Sequence, residues 1–219
     1  MKRLSLVKKE MQSWARRAHV KIAEGLPFLG VPGAVFRKMR LQHGQWLLHV
    51  SDTPTCFYGP LKQLVALVDP KIIVHTGDLA DEVKIGLCRK DLPLYARRIR
   101  SLAVFLDSPR TYVVIGNHDD FEEVRKAFPR SVLLPESRIL PLEGFSVGLS
   151  HNVQDLPRER ADCYLYGHDD TPPPREIADI CYNGLEHIHC WNFVTGERRF
   201  FRYPRYVGDR RSRKFGIGL

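Results

Sequence analysis

Six side chains set the chemical question: Asp52, Asp78, Asn117, His151, His168 and Asp170. Carboxylates drawn into one pocket repel one another unless their pKa values rise or a cation joins them. Two imidazoles and an amide oxygen beside them make the cation the better answer. Asp, Asn and His together suit a divalent metal such as manganese, iron or zinc.

The elements that must carry these residues follow from the apolar pattern. Trp46–Val50 reads as a short strand leading into Ser51-Asp52-Thr53-Pro54. A helix over Leu61–Val68 precedes a strand, Ile72–His75, which runs into Thr76-Gly77-Asp78. A longer helix, Leu94–Leu106, precedes the strand Thr111–Ile115 and then Gly116-Asn117-His118-Asp119. Strands alternating with helices indicate a parallel α/β sheet, and in open α/β sheets ligands bind at the C-terminal strand edge. Beyond residue 130 the rhythm is β-rich, with short strands at Val132–Leu134, Ile139–Leu142, Phe145–Leu149, Cys163–Tyr166, Ile177–Cys181, Ile188–Phe193 and Arg199–Tyr203. These read as a second sheet packed on the first. Two of them end in Ser150-His151-Asn152 and Gly167-His168-Asp169-Asp170, so all six candidates can converge at one rim.

Composition narrows the class. The chain has 219 residues, 43% of them hydrophobic and 27% charged, which is ordinary for a globular protein and excludes disorder as the main state. No run approaches the ~20 apolar residues of a spanning helix. Five cysteines without a Cys-x-x-Cys pair argue against a disulfide scaffold and for a reducing, cytoplasmic setting. The net charge of +9 belongs to the ends: residues 1–43 hold 10 Lys/Arg against 2 Asp/Glu, and residues 197–219 hold 8 against 2. The body between them is acidic. Three segments are expected: a basic N-terminal extension over 1–43, a catalytic-type domain over 44–204 and an Arg-rich tail over 205–219. Residues 4–22 have an amphipathic helical pattern, with Trp14 on the apolar face. Packing against its own domain is the leading reading, peripheral contact with an anionic membrane the second, and nucleic-acid binding the third.

In its ordered motifs the chain resembles the calcineurin-like metallophosphoesterase family. That family's order is D-x-H, G-D-x-x-D, G-N-H-D or G-N-H-E, a lone H, then G-H-x-H. Here the series reads Asp52-Thr53-Pro54, Gly77-Asp78-Leu79-Ala80-Asp81, Gly116-Asn117-His118-Asp119, His151 and Gly167-His168-Asp169-Asp170, spanning roughly residues 46–193. The resemblance implies a four-layer α-β-β-α sandwich, extended here by the basic N-terminal helix. It implies that Asp78 bridges two metals and that Asn117, His151 and His168 complete the second site. His118 would contact the phosphate and protonate the leaving oxygen, with Asp81 orienting its imidazole. The implied activity is hydrolysis of a phosphomonoester or phosphodiester by a metal-bound hydroxide. A phosphate-ester small molecule is the implied substrate; the sequence sets no oligomeric state.

The first-metal site departs from the pattern twice. Pro54 replaces the histidine of D-x-H, and Asp170 the second histidine of G-H-x-H. Asp52, Asp78 and Asp170 remain, an oxygen-only set that binds a soft or borderline ion less well and shifts preference at this site toward manganese, magnesium or calcium; for the centre as a whole manganese is expected first, with magnesium, iron or zinc as alternatives. The expectation is a tight second site and a weaker first one. Glu82 stands where some family members carry a phosphate-holding Arg, and it would repel an anion. The eroded site also supports an alternative: a family-fold protein that binds a partner or regulates without turnover. The remaining polar residues take structural expectations. Asp119 caps the helix starting near Phe121, Asp169 is a loop residue, and His49 and His75 are buried in their strands. His187 and His189 pack, and Cys163 and Cys181 are core thiols.

Overall fold

The computed structural model describes residues 33–42 and 44–212. The amphipathic segment 4–22 lies outside them. The first described helix, α1 (Gly33–Leu41), carries Lys38 and Arg40 in its last turn, and its Met39 is buried.

Two sheets form the body. Strands β1 (Trp46–Val50), β2 (Ile72–His75), β3 (Thr111–Val114) and β4 (Val132–Leu134) run parallel in that order. Late in the chain, β9 (His187–Asn192) pairs antiparallel with β1, and β10 (Arg198–Arg202) with β9, completing six strands. The second sheet orders β5 (Arg138–Leu142), β6 (Phe145–Leu149), β7 (Cys163–Tyr166) and β8 (Cys181–Asn183). A two-residue turn, Glu143-Gly144, joins β5 to β6. Both residues have positive φ (51° and 89°), the conformation that matches the twist of a tight hairpin.

Alternation along the strands explains why two sheets and a helical layer coexist. In β1, Trp46, Leu48 and Val50 join one core with Ile73 and Val113, while Leu47 faces a second core with Ile72, Val74 and Val114. The first core is closed by helices α2 (Tyr58–Val68), α3 (Leu92–Leu106) and α4 (Phe121–Ala127), through Leu61, Leu64, Tyr95, Ile99, Leu102 and Val124. The second core is closed by Val147, Leu149, Cys163 and Leu165 of the other sheet. A strand buried on both faces reads as a continuous apolar run, as Trp-Leu-Leu-His-Val does. The α/β two-sheet sandwich is therefore dictated by which face each apolar residue takes.

Two local expectations are corrected. The strand read over Ile177–Cys181 is instead a 3-10 turn at Ala178–Ile180 followed by β8. The partner explains it: on this edge β7 pairs with Cys181, Tyr182 and Asn183, and among the described residues no strand pairs with the residues just before them. The α4 cap is Asp120, whose Oδ1 accepts from Glu123 N at 3.0 Å, not Asp119. Helix α5 (Arg205–Ser212) follows β10, with Val207 in the first core and Arg211 7% exposed.

Candidate metal centre

Backbone hydrogen bonds stitch the strand-end loops together. Asp52 N donates to Gly77 O and Thr53 N to Asp78 O, both at 3.0 Å. Gly167 N donates to His151 O at 2.9 Å, and His168 N to Asp52 Oδ2 at 3.0 Å. His118 N donates to Asp78 Oδ1 at 3.0 Å. Asp52, Asp78 and His168 all have positive φ (46°, 54° and 74°). A non-glycine residue there costs on the order of 1–2 kcal/mol, which these hydrogen bonds offset. Close approach is the second requirement. A Cβ on Gly116 would lie 2.5 Å from Asp78 N, and one on Gly167 would lie 2.6 Å from Asp52 Oδ2.

Asp52, Asp78 and His151 are buried with ligand atoms within 4.8 Å of one another. The His151 ring fixes its own tautomer. Nδ1 lies 2.7 Å from Thr76 O, a carbonyl that can only accept, so Nδ1 carries the proton. In its neutral form, the form a metal requires, His151 then turns the Nε2 lone pair into the cluster. There it meets Asn117 Oδ1 at 2.9 Å, His168 Nδ1 at 3.0 Å and Asp78 Oδ1 at 3.7 Å. Asn117 Oδ1 presents a lone pair there and His168 Nδ1 does so in one of its two tautomers; nitrogen and oxygen donors converging in that way are satisfied by a cation, and a ring N–H anchored on a backbone carbonyl is the usual support of a metal-ligating histidine. The electrostatics agree. Burial, then the Asp52 carboxylate, push Asp78 up to about 7. Burial alone would lower His151, but the Asp78 and Asp52 carboxylates raise it. Each group is short of positive charge, and a divalent ion would supply it. The donor set fits the metal.

The other sequence candidates are placed as follows. Asn117 is exposed and His118 half-buried, so the rim opens to solvent on their side. Asp81 is buried and accepts from Lys84 Nζ. Asp170 is exposed and, among the described residues, stands outside the buried cluster. Glu82 accepts from the backbone N–H of Thr55 at 3.0 Å and from its hydroxyl, bracing the segment after Pro54.

Four residues that sequence reasoning did not assign to the centre hold it in shape. Asp119 Oδ2 accepts from Asp78 N at 2.9 Å and Gly116 N at 2.8 Å, while Oδ1 accepts from Leu79 N at 2.9 Å and Tyr95 OH at 2.7 Å. His75 Nδ1 accepts from Gly77 N at 3.2 Å, so its Nε2–H donates to Thr53 Oγ1 at 2.9 Å. Burial holds that imidazole down to about 3, which keeps it neutral. Arg211 donates to Asp52 O at 2.7 Å, Ser51 O at 2.6 Å and Leu185 O at 2.7 Å, with its guanidinium 4.0 Å from the Tyr203 ring centre. Lys84, on Asp81, also reaches within 3.8 Å of Asp78 Oδ2. Asp119 lies inside the Gly-Asn-His-Asp signature, where local pattern alone points to a helix cap. Lys84 lies three residues past Asp81, a readable spacing. Arg211 has no local signal.

Comparison with known proteins gives one family. The model for calcineurin-like phosphoesterases matches residues 46–210. No curated protein sequence shows significant similarity to the chain. Among solved structures, a protein of unknown function, AQ665, from Aquifex aeolicus is similar at 18% identity and a TM-score of 0.38, over 64% of this chain and 89% of its own. Yfce, a phosphoesterase from E. coli, is similar at 16% identity and a TM-score of 0.46, over 73% of this chain and 99% of its own. No helix of the described residues is long and apolar enough to cross a membrane.

Proposed function

The chain belongs to the calcineurin-like phosphoesterase family, and from that premise we propose that it hydrolyses a phosphomonoester or phosphodiester with one tightly held divalent cation, manganese by preference. The observation that carries this reading is the inward-facing lone pair of His151, surrounded by Asn117 Oδ1, His168 Nδ1 and Asp78 Oδ1. These four residues would hold the ion, with Asp52 beside them. When bound, such an ion neutralises phosphate charge and lowers the pKa of water. The chain's own residues do the rest. Buried Asp52 and Asp78 form the floor, and Asn117 and His118 stand at the open rim, so a phosphate ester enters from their side. His118, half-exposed and anchored through its N–H on Asp78, is the general acid that hands a proton to the leaving oxygen.

Asp81, which the family resemblance makes the residue that orients the His118 imidazole, also enters an ion pair. It accepts from Lys84, and this ion pair supports the reading of Asp81 as the residue that seats the lysine. The direct test is hydrolysis of bis-p-nitrophenyl phosphate and p-nitrophenyl phosphate across a panel of manganese, magnesium, iron and zinc. Turnover that is lost in His118→Ala supports the enzyme.

A second reading is a partner-binding or regulatory protein without turnover. It is favoured by Pro54 in place of an imidazole and by the exposed position of Asp170. Silence in every metal, with manganese still bound, would select it.

A further inference from the structure

The Asp78 carboxylate has two unlike sides. Oδ1 faces the His151 imidazole at 3.7 Å and accepts from His118 N. Oδ2 faces an ammonium: Lys84 Nζ lies 3.8 Å away and bonds Asp81 Oδ1, with the lysine side chain only 17% exposed. A lysine this enclosed is uncommon unless paired, and here it is paired with two carboxylates that are themselves fully buried. The chain has lost imidazoles as well. Pro54 and Asp170 occupy the two positions at which the family pattern has histidines, and Asp170 is exposed. A second cationic group serves the same loop, since Arg211 donates to Ser51 O and Asp52 O.

We propose that Lys84 is a built-in cation on the Asp78 Oδ2 side, standing where a second metal ion would otherwise sit. The centre is then mononuclear: Asp78, Asn117, His151 and His168 hold one divalent ion, and the Lys84 ammonium supplies the remaining positive charge and excludes another. This rests on the metal-dependent reading above and goes beyond it by assigning the missing charge to a side chain. Like charges this close, in a site shielded from water, repel strongly. Losing the ammonium while keeping Asp52, Asp78 and Asp81 leaves three buried carboxylates with an unmet demand for charge.

The experiment uses the full chain and manganese alone. Bound ions are counted after equilibrium dialysis, and the spin state is read by electron paramagnetic resonance. Wild type is expected to take up one Mn²⁺ per chain with an uncoupled six-line spectrum, even at excess metal. Lys84→Met should take up a second ion at least about tenfold more tightly than wild type does, with an exchange-coupled spectrum, whereas Lys84→Arg should stay at one. Two ions in wild type, or a folded Lys84→Met that still holds one, overturns the role of Lys84 and leaves the metal-dependent reading intact. Wild type that holds no manganese overturns both. Should Lys84→Met fail to fold, wild type and Lys84→Arg decide the matter: one uncoupled ion in each supports the proposal, and a coupled pair in either overturns it.

Discussion

Replacing Arg211 by methionine isolates what one guanidinium does for the Asp52 loop. The side chain donates to three carbonyls, Ser51, Asp52 and Leu185, and stacks on Tyr203. Hydrogen bonds from a charged donor are worth about 1.5–3 kcal/mol each, and a buried acceptor left without a partner costs about 1–3 kcal/mol. The sum is not reached, because removing a buried charge also relieves its desolvation. Methionine keeps the apolar stem over the tyrosine ring, so packing is largely retained. The net expectation is a loss of about 3 kcal/mol. With a urea m-value of roughly 2 kcal/mol/M, that is a fall of ~1.5 M in the unfolding midpoint with m unchanged. Lysine at 211 should recover less than half, because one ammonium cannot span carbonyls from residues 51, 52 and 185 as a planar fork does. Arg210→Met, at an exposed neighbouring position, should stay within ~0.5 kcal/mol of wild type. A loss below about 1 kcal/mol in Arg211→Met, or full recovery in Arg211→Lys, would refute the reasoning.

Further outcomes follow from the same geometry. Gly116→Ala should cost about 1–3 kcal/mol and release bound manganese, because the new methyl would press on the Asp78 backbone; metal content after desalting checks it. Chelation should lower the midpoint of thermal unfolding, and manganese at 100 times its dissociation constant should restore about 2.7 kcal/mol, read by calorimetry with and without EDTA. Acid should destabilise the metal-free protein through its buried histidines. Burial holds His75 at about 3 and His189 at about 4, against 6.5 when unfolded. Their contribution is fully present above pH 6.5 and is lost as pH falls toward those values, at about 1 kcal/mol per pH unit for each. Asp78, pushed up to about 7, and Asp119, also raised by burial, work in the opposite sense above the unfolded carboxylate range, while burial lowers His49 in the same sense as the other two histidines, so three histidines oppose two aspartates. Urea titrations from pH 6.5 to 4.5 should show a net decline, and His189→Gln should flatten it.

Much of this fold was written in local patterns. Trp46–Val50, Ile72–His75 and Cys163–Tyr166 are short apolar runs, and each is a strand with the same bounds in the structure. The polar residues that follow them reach one rim because β1, β2 and β3 are parallel, as are β6 and β7, so their ends face the same way. What local pattern could not supply was choice between neighbours and contact at long range. Asp119 and Asp120 are chemically identical. Only the approach of the Gly77–Leu79 backbone decides that the first gathers loops and the second caps a helix. The turn at Ala178–Ile180 depends on where β7 stops pairing, which no residue in the turn encodes. Arg211 reads as one more charge in an arginine-rich stretch until the carbonyls 159 and 160 positions earlier come to meet it.

That separation bears on synthesis. A ribosome releases the chain from its beginning, and domains tend to fold in that order. The Asp52 turn therefore emerges long before the guanidinium that will brace it. During that interval its carbonyls must be served by water. The earlier strands can assemble into a sheet while its ion-gathering corner stays loose. On the metal-dependent reading proposed above, capture of the ion is thereby coupled to completion of the body.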